Sequence, residues 1–229
     1  LKGVTGAVVA LDPSTGAVLG MASTPTYDPN QLSSHDPAAI RAYADQLGSQ
    51  QIDPRLNRAI NARYSPGSIF KVVVSAAALS SGQYTPDTVI PAPQELVLPG
   101  TRTALENFGG SACDPSGRQS LIDALTISCN TAFAQLGIDL GEDRVREMAE
   151  AFGIDGEGME IPLTVDGSTI GEIQNDAELG VSSIGQQDVQ LTPLQAAMIA
   201  SAVANDGTLM SPYLVDQVRA PDLSVIDQT

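Results

Sequence analysis

The sequence has no tryptophan, one histidine and two lysines, Lys2 and Lys71. A Ser-His-Asp triad would have to use His35, which stands among serines just before Asp36 and Pro37. That composition is typical of a surface loop, so we expect His35 to be solvated. A serine nucleophile in this chain would therefore need a base other than histidine.

Positive charge is scarce as well. Eleven basic residues against 27 acidic ones give a net charge of -16, and no basic run is present. Binding to a phosphate backbone depends on such runs, so we expect no nucleic-acid partner. No apolar stretch reaches the length of a membrane span, and the chain opens without a signal peptide. We expect it to be an excised piece whose anchoring segment has been removed.

Only two cysteines are present, Cys113 and Cys129. They lack the paired spacing of a zinc site, and no other pattern indicates a metal or a cofactor, so we expect neither. In an extracytoplasmic domain the two could form a disulfide across a loop of moderate length. Two unpaired, partly buried thiols fit the spacing equally well.

Hydrophobic residues make up 42% of the chain, which indicates a globular domain with a buried core. Asp36-Pro37 and Thr192-Pro193 are both typical helix starts, with a capping residue followed by proline at the first helical position. Residues 85–118 are rich in proline and glycine and are interpreted as a small excursion, and residues 156–178 as loop. We expect a hairpin over 4–22 and a strand-like stretch over 208–218 that leads into a polar, loop-like end. Single helices are expected over 36–47, from 68 to a stop at Gly82, over 142–152 and over 192–205. Two further helices are expected over 120–136, with a turn between them at 128–130.

Ser68 and Lys71 are the first candidate catalytic residues. Pro66-Gly67 is a turn signal, and the apolar run after it predicts a helix that Ser68 begins. Residues three apart share a helix face, so the hydroxyl and the amine point the same way. A neutral lysine can activate a serine nucleophile, and both the helix N-terminus and apolar neighbours disfavour the ammonium form.

Ser128-Cys129-Asn130 is the second candidate motif. Its side chains compete with helical hydrogen bonds, which predicts a turn. Ser128 could relay a proton from Lys71 to a leaving group, and Asn130 could bind the lysine or a substrate amide. The residues alone leave other interpretations open, namely a snorkelling lysine at Lys71 and a capping turn at 128–130.

Both motifs resemble those of a known family. Pro66-Gly67-Ser68-Ile69-Phe70-Lys71 is similar to the first active-site motif of penicillin-binding transpeptidases, and Ser128-Cys129-Asn130-Thr131-Ala132 is similar to the second. Nearly the whole chain resembles class B penicillin-binding proteins, most of all the penicillin-binding protein A type of mycobacteria and their relatives. Further stretches that carry the resemblance are 22–30, 57–59, 184–186 and 191–197.

The resemblance implies an α/β fold of the serine transpeptidase and β-lactamase type, an antiparallel sheet flanked by helices, with residues 1–229 forming a partial transpeptidase domain. It implies a serine D,D-transpeptidase, or a carboxypeptidase, that acts on peptidoglycan stem peptides and is acylated by β-lactam antibiotics. Ser68 would be the nucleophile, Lys71 the general base, Ser128 the proton shuttle and Asn130 the positioning residue. It further implies action at the extracytoplasmic face of a membrane-anchored protein, with cell-division or elongation proteins as partners.

Two departures from the family pattern stand out. The third motif, Lys-Thr-Gly on an edge strand, is absent because no lysine follows Lys71. We expect that motif in a segment beyond Thr229, along with the second oxyanion donor; the Ser68 amide would supply the first. In addition, Gln187 stands where relatives often have glycine. Two rival functions stay open, a serine β-lactamase, which needs a group that activates water, and a non-catalytic penicillin-recognising sensor or pseudo-enzyme.

Overall fold

The fold is described from a computed structural model, which describes residues 4–156 and 161–228. The helices are α1 (Pro37–Gly48), α2 (Phe70–Ser80), α3 (Leu121–Thr126), α4 (Asn130–Leu140), α5 (Glu142–Ala151), α6 (Asp176–Ser182) and α7 (Pro193–Ala204). The strands are β1 (Gly6–Leu11), β2 (Val18–Thr24), β3 (Val89–Pro91), β4 (Glu95–Val97), β5 (Ala104–Glu106), β6 (Arg118–Ser120), β7 (Gln217–Arg219) and β8 (Val225–Gln228).

The chain divides into two compact units, each described below by itself. The first comprises residues 1–63, 158–166 and 192–229, and the second comprises 64–157 and 167–191. All four candidate catalytic residues belong to the second unit. The interpretation of 85–118 as a separate excursion stays a prediction.

The first unit is built on the predicted hairpin. Strands β1 and β2 pair antiparallel, with Gly6 opposite Thr24. The turn between them is closed by Asp12, whose carboxylate accepts from the backbone N–H and the hydroxyl of Ser14. Gly16 has a positive φ of 87°, and a Cβ there would collide with the Ser211 carbonyl. The turn therefore requires glycine at this position.

Helix α7 packs against β1 and supplies much of the core of the first unit. It begins as predicted, since Thr192 accepts a hydrogen bond from the Gln195 amide and Pro193 is the first helical residue. Alternating residues of the hairpin face it, because successive side chains of a strand point to opposite faces. The core residues are Ala59, Ile60, Ile161, Val165, Leu194 and Met198, with Ala7, Val9, Leu11, Met21 and Leu209 packed against them.

Other elements of the first unit confirm some expectations and correct others. Helix α1 has Asp36 as its N-cap and Pro37 as its first residue, as predicted. The prediction of strand over 208–218 is wrong for most of that range, because only β7 is a strand there. β7 pairs with β8, which lies at 225–228 in the stretch expected to be loop.

The second unit is organised around α2. A 3-10 turn over Gly67–Ile69 leads into α2, and seven of the eleven residues of α2 are buried. Its three consecutive valines are mediocre helix formers, so burial contributes much of the stability of the helix. It packs on α3, α4 and α5, and Gly82 ends it with a positive φ, as predicted.

The rest of the second unit surrounds α4. Helix α6, whose start lies inside the range predicted as loop, packs on α4. Gly137 allows the close approach, because a Cβ at this position would collide with Ser183. Gly153, the predicted stop of α5, lies two residues beyond the end of the helix and has a positive φ. Strand β3 pairs with β6, and β4 pairs with β5, both antiparallel. The predicted loop over 156–178 lies partly outside the described residues.

Membrane spans can be assessed for the described part of the chain. None of its helices combines the length and the apolar character that crossing a bilayer would need.

Candidate active site

Ser68 lies in the 3-10 turn that precedes α2. The structure differs here from the prediction that Ser68 begins the helix. Pro66 already has helical dihedrals, and no side chain caps the turn. The Ser68 hydroxyl is exposed and instead accepts a hydrogen bond from the Ser128 hydroxyl at 2.7 Å. The nucleophile candidate is thus accessible from solvent and already contacts the second motif.

The backbone that carries Ser68 is held against residues 185–191. Gly67 donates its N–H to the Gly185 carbonyl at 2.9 Å, and both glycines have positive φ. A Cβ at Gly185 would collide with the Gly67 backbone. The Gln190 amide also donates to the Ser65 hydroxyl at 3.1 Å. This close packing fixes the position of the turn, and it requires glycine at 185.

Lys71 lies one helical turn after Ser68 and is fully buried. Its Nζ donates to the Ser128 carbonyl at 2.7 Å, to the Ser128 hydroxyl at 3.1 Å and to Asn130 Oδ1 at 2.7 Å. The Phe133 ring centroid lies 5.8 Å from the same nitrogen. An ammonium has three N–H donors, so these three acceptors satisfy it completely.

Burial lowers the pKa of Lys71 from its ordinary 10.5 to about 8, because desolvation disfavours the charged form. About a tenth of the lysine is then neutral at pH 7. The interpretation of Lys71 as a snorkelling residue does not fit, since a snorkelling amine stays in water. The geometry instead gives a lysine that can lose its proton near neutral pH.

Ser128 has an unusual backbone conformation for a serine, with a φ of 60°. It follows the end of α3, where the Ser128 amide bonds to the Leu125 carbonyl and the Cys129 amide to the Ala124 carbonyl. These two bonds form a Schellman motif, in which glycine usually takes the left-handed position. A serine there pays a conformational cost of about 1–2 kcal/mol, and its hydroxyl points at Ser68.

Asn130 is the first residue of α4, directly after the predicted turn. Its Oδ1 accepts from Lys71, and its Nδ2 donates to the Glu106 carbonyl at 3.2 Å. An amide nitrogen carries two hydrogens, so one more donor is left for a substrate carbonyl. Asn130 therefore holds the lysine and can bind a substrate at the same time.

The four predicted site residues form one hydrogen-bonded chain. The path from Lys71 to Ser68 runs through the Ser128 hydroxyl, which accepts from Nζ and donates to the Ser68 hydroxyl. If Lys71 is neutral, both bonds can reverse, and a proton can pass from Ser68 through Ser128 to the amine. The arrangement is suited to nucleophilic catalysis by a serine.

Asn107 is a structural contributor that the sequence reasoning missed. It is buried, and its Oδ1 accepts from the backbone N–H of Thr131 at 3.1 Å. Its Nδ2 donates to the Ser111 carbonyl at 3.2 Å. Cys129 makes no side-chain cap, so Asn107 caps α4 from a distant strand end. The only signal was its place before Phe108-Gly109-Gly110, which is typical of a turn.

Cys113 and Cys129 form a disulfide. Cys129 is the residue between Ser128 and Asn130, so the bond joins the catalytic turn to the loop around Cys113. In the described part of the chain, none of the hydrogen bonds of Ser68, Lys71, Ser128 and Asn130 involves a carboxylate side chain. The described residues also contain no group of acidic, cysteine and histidine side chains that could hold a metal ion.

Comparison with known proteins gives consistent matches over almost the whole chain. Residues 6–229 match the family model described as "Penicillin binding protein transpeptidase domain". The chain is 50% identical over 224 residues to the peptidoglycan D,D-transpeptidase PbpA of Mycolicibacterium smegmatis, covering 98% of this chain and 45% of that protein.

Two solved structures are similar as well. A penicillin G acyl-enzyme complex of penicillin-binding protein A from M. tuberculosis matches with a TM-score of 0.94 and 48% identity, over 98% of this chain and 52% of that one. A chain from a structure of a peptidoglycan synthase complex matches with a TM-score of 0.78 and 30% identity, over 93% of this chain and 37% of that one. The chain thus spans about half the length, or less, of the relatives it matches.

Proposed function

Because this chain belongs to the penicillin-binding protein transpeptidase family, as its motifs predicted, we propose that it is the catalytic part of a serine D,D-transpeptidase. The observation that carries the proposal is the hydrogen-bonded chain from Lys71 through Ser128 to Ser68. The proposed substrate is a peptidoglycan stem peptide that ends in D-alanyl-D-alanine, and β-lactams acylate the same serine. The name of the mycobacterial relative and the acyl-enzyme structure support both parts.

Acylation begins when the neutral Lys71 amine takes a proton through Ser128. The Ser68 oxygen then attacks the carbonyl carbon before the terminal D-alanine, and the Ser68 proton passes to Ser128. The carbonyl becomes an oxyanion next to the Ser68 amide, which belongs to the first turn of a helix and so has no helical acceptor. Collapse breaks the C–N bond, and the proton returns through Ser128 to the departing amine of D-alanine.

Deacylation repeats the sequence with a new nucleophile. An amine from a neighbouring stem peptide attacks the ester on Ser68, and its proton moves along Ser128 and Lys71 to the Ser68 oxygen as that oxygen leaves. Asn130 Nδ2 has a free hydrogen for the backbone of the donor peptide. A β-lactam is opened by the same attack, but its amine stays attached to the acyl group.

The partners and the location follow from the family. The similar chain in a peptidoglycan synthase complex supports assembly with other cell-wall synthesis proteins. The proposed place of action is the extracytoplasmic side of the bacterial membrane, where stem peptides are cross-linked. A disulfide between Cys113 and Cys129 agrees with an oxidising compartment.

The proposal is tested by intact mass spectrometry of the complete protein, including the segment expected beyond Thr229, mixed with penicillin G. We expect one covalent adduct on Ser68 in the wild type and none in Ser68→Ala. Lys71→Ala should form the adduct at least about 100-fold more slowly, because the nucleophile loses its base. Circular dichroism of both variants should match that of the wild type.

The outcomes separate the rival functions. An adduct that hydrolyses slowly, so that little penicillin is consumed, supports the transpeptidase. Rapid loss of the adduct with continuing hydrolysis of penicillin would indicate a β-lactamase. An adduct with no release of D-alanine from a stem peptide would indicate a penicillin-recognising sensor. A wild-type protein that forms no adduct at all would refute the proposal.

A further inference from the structure

Phe108 is the most exposed large apolar residue among the described residues, with 99% of its surface accessible. It begins a 3-10 turn over Phe108–Gly110, directly after the buried Asn107. An isolated exposed aliphatic residue needs no explanation, but a phenyl ring buries a large apolar area when it can. The Phe108 ring is therefore free to pack against a ligand.

The turn that carries Phe108 is firmly held. The Gly110 amide bonds to the Asn107 carbonyl at 2.9 Å, and the Gln94 side chain donates to the Gly110 carbonyl at 3.0 Å. Gly109 and Gly110 both have a φ of 70°, which only glycine adopts without strain. The ring therefore projects from a fixed backbone rather than from a free loop, so binding has to order only its side-chain torsions.

The same turn is attached to the catalytic residues. Glu106, two residues before Phe108, accepts a hydrogen bond from Asn130 at 3.2 Å, and Asn107 accepts one from Thr131 at 3.1 Å. Two residues span at most about 7 Å, so the backbone of Phe108 lies at the rim of the site near Asn130.

Exposed apolar residues also adjoin the two candidate hydroxyl residues in the sequence. Ile69 follows Ser68 and Ile127 precedes Ser128, and about half of the surface of each is accessible. Accessible apolar surface is therefore present within one residue of both Ser68 and Ser128.

We propose that Phe108 is a specificity-determining residue that packs against the apolar substituent on the acyl side of the scissile bond. In a penicillin this substituent is the aryl group of the amide side chain, and in a stem peptide it is the aliphatic part of the donor strand. The inference rests on the proposed function, because it presupposes an acyl group on Ser68. It adds a contact that the catalytic motifs do not include.

The experiment compares two probes on the complete protein, including the segment expected beyond Thr229. Penicillin G carries an aryl amide substituent, and 6-aminopenicillanic acid has the same ring system without it. We expect Phe108→Ala to slow acylation by penicillin G about tenfold, the usual effect of losing one aromatic contact. Acylation by 6-aminopenicillanic acid should stay within about twofold of the wild type.

Two further variants serve as controls. Val97→Ala removes another exposed apolar side chain from the same 85–118 stretch and should leave both rates unchanged. Phe108→Tyr keeps an aromatic ring and should retain the penicillin G rate. Thermal unfolding should be the same for all variants, since Phe108 is 99% exposed in the described part of the chain.

Either of two results would overturn the inference. Unchanged penicillin G acylation in Phe108→Ala would show that the ring makes no contact, and an equal loss with both probes would show an effect on the catalytic turn instead. If the wild type is acylated by neither probe, the proposed function fails and this inference fails with it. This outcome is distinguishable from the other two because it is seen in the wild-type protein, whereas they are seen only in Phe108→Ala.

Discussion

At the scale of single residues, the candidate site separates an exposed serine, the proposed nucleophile, from a buried lysine, the proposed base. Ser68 is accessible, whereas Lys71 is fully buried three residues later. The spacing of the two was visible in the sequence, because a helix places residues three apart on one face. The sequence predicted Ser128 as a proton relay, but it did not predict the left-handed backbone conformation of this residue. Serine is uncommon in that conformation, so no sequence signal indicated it.

The lowered pKa of Lys71 predicts how acylation depends on pH. The pKa of about 8 means that the neutral amine increases about tenfold between pH 7 and pH 9. If Lys71 is the base, as proposed, the rate of acylation by penicillin G should rise about tenfold over the same range and level off above it. Intact mass spectrometry of samples quenched at successive times measures the acylation rate at each pH.

Lys71→Arg is the matched control for the pH series. A guanidinium stays protonated up to pH values above about 12, so this variant keeps the charge and loses the base. It should show no acylation at any pH of the series. A flat wild-type profile, or an Arg variant that acylates, would contradict the assignment of Lys71 as base.

At the scale of elements, the N-terminus of α4 is the critical structural feature. Helix starts leave amides without helical partners, and here Asn107 satisfies the Thr131 amide from the end of β5. The sequence predicted the helix and its turn, but not the cap. Capping residues are usually found next to the helix start, whereas Asn107 is 24 residues away from Thr131.

We expect Asn107→Ala to impair both stability and acylation. It leaves the Thr131 amide and the Ser111 carbonyl without their partner, which costs about 1–3 kcal/mol and lowers the melting temperature by about 3–10 °C. Because α4 begins with Asn130, acylation by penicillin G should slow as well. Calorimetry and the adduct assay measure the two effects on the same sample.

Two other variants distinguish positioning from general destabilisation. Asn107→Asp keeps the acceptor for Thr131 but loses the donor, so it should retain more of the acylation rate than Asn107→Ala even if it is equally unstable. Gln94→Ala affects the same turn without a bond to α4, so acylation by 6-aminopenicillanic acid, which has no aryl group for Phe108, should be normal. If acylation follows melting temperature across all variants, Asn107 has only a structural role.

At the scale of the whole molecule, elements with clear cap or turn residues were predicted, and short elements without a recognisable pattern were not. The opening hairpin, α1, α5 and α7 have clear caps or turn residues and were placed correctly. Helix α6 is seven residues long, too short for a clear periodicity, and it follows an acidic, glycine-rich stretch. The four residues of β8 are all exposed, so no burial pattern could show this strand.

The net charge of -16 also acts on the molecule as a whole. Repulsion among surface carboxylates opposes the compact state, and salt screens it. The melting temperature at pH 7 should therefore rise by about 3 °C between 10 and 200 mM sodium chloride, roughly 1 kcal/mol for a chain of this size. Differential scanning fluorimetry is sufficient to measure this.

Screening has a limited range, which provides a check on the cause. At about 0.2 M salt the screening length is already below 10 Å, so the rise should flatten there. A rise that continues in proportion up to 1 M would reflect salting-out rather than screening. No rise at all would mean that the acidic residues are too far apart to repel one another.

The close contact between Gly67 and Gly185 has a consequence for mutational escape from inhibitors. Any side chain at 185 must displace the backbone that carries Ser68. Under the proposed function, such a change would weaken β-lactam acylation and transpeptidation together, since both would use the Ser68 oxygen. Resistant descendants should therefore keep this glycine pair, whereas a substitution at the exposed Phe108 displaces no backbone.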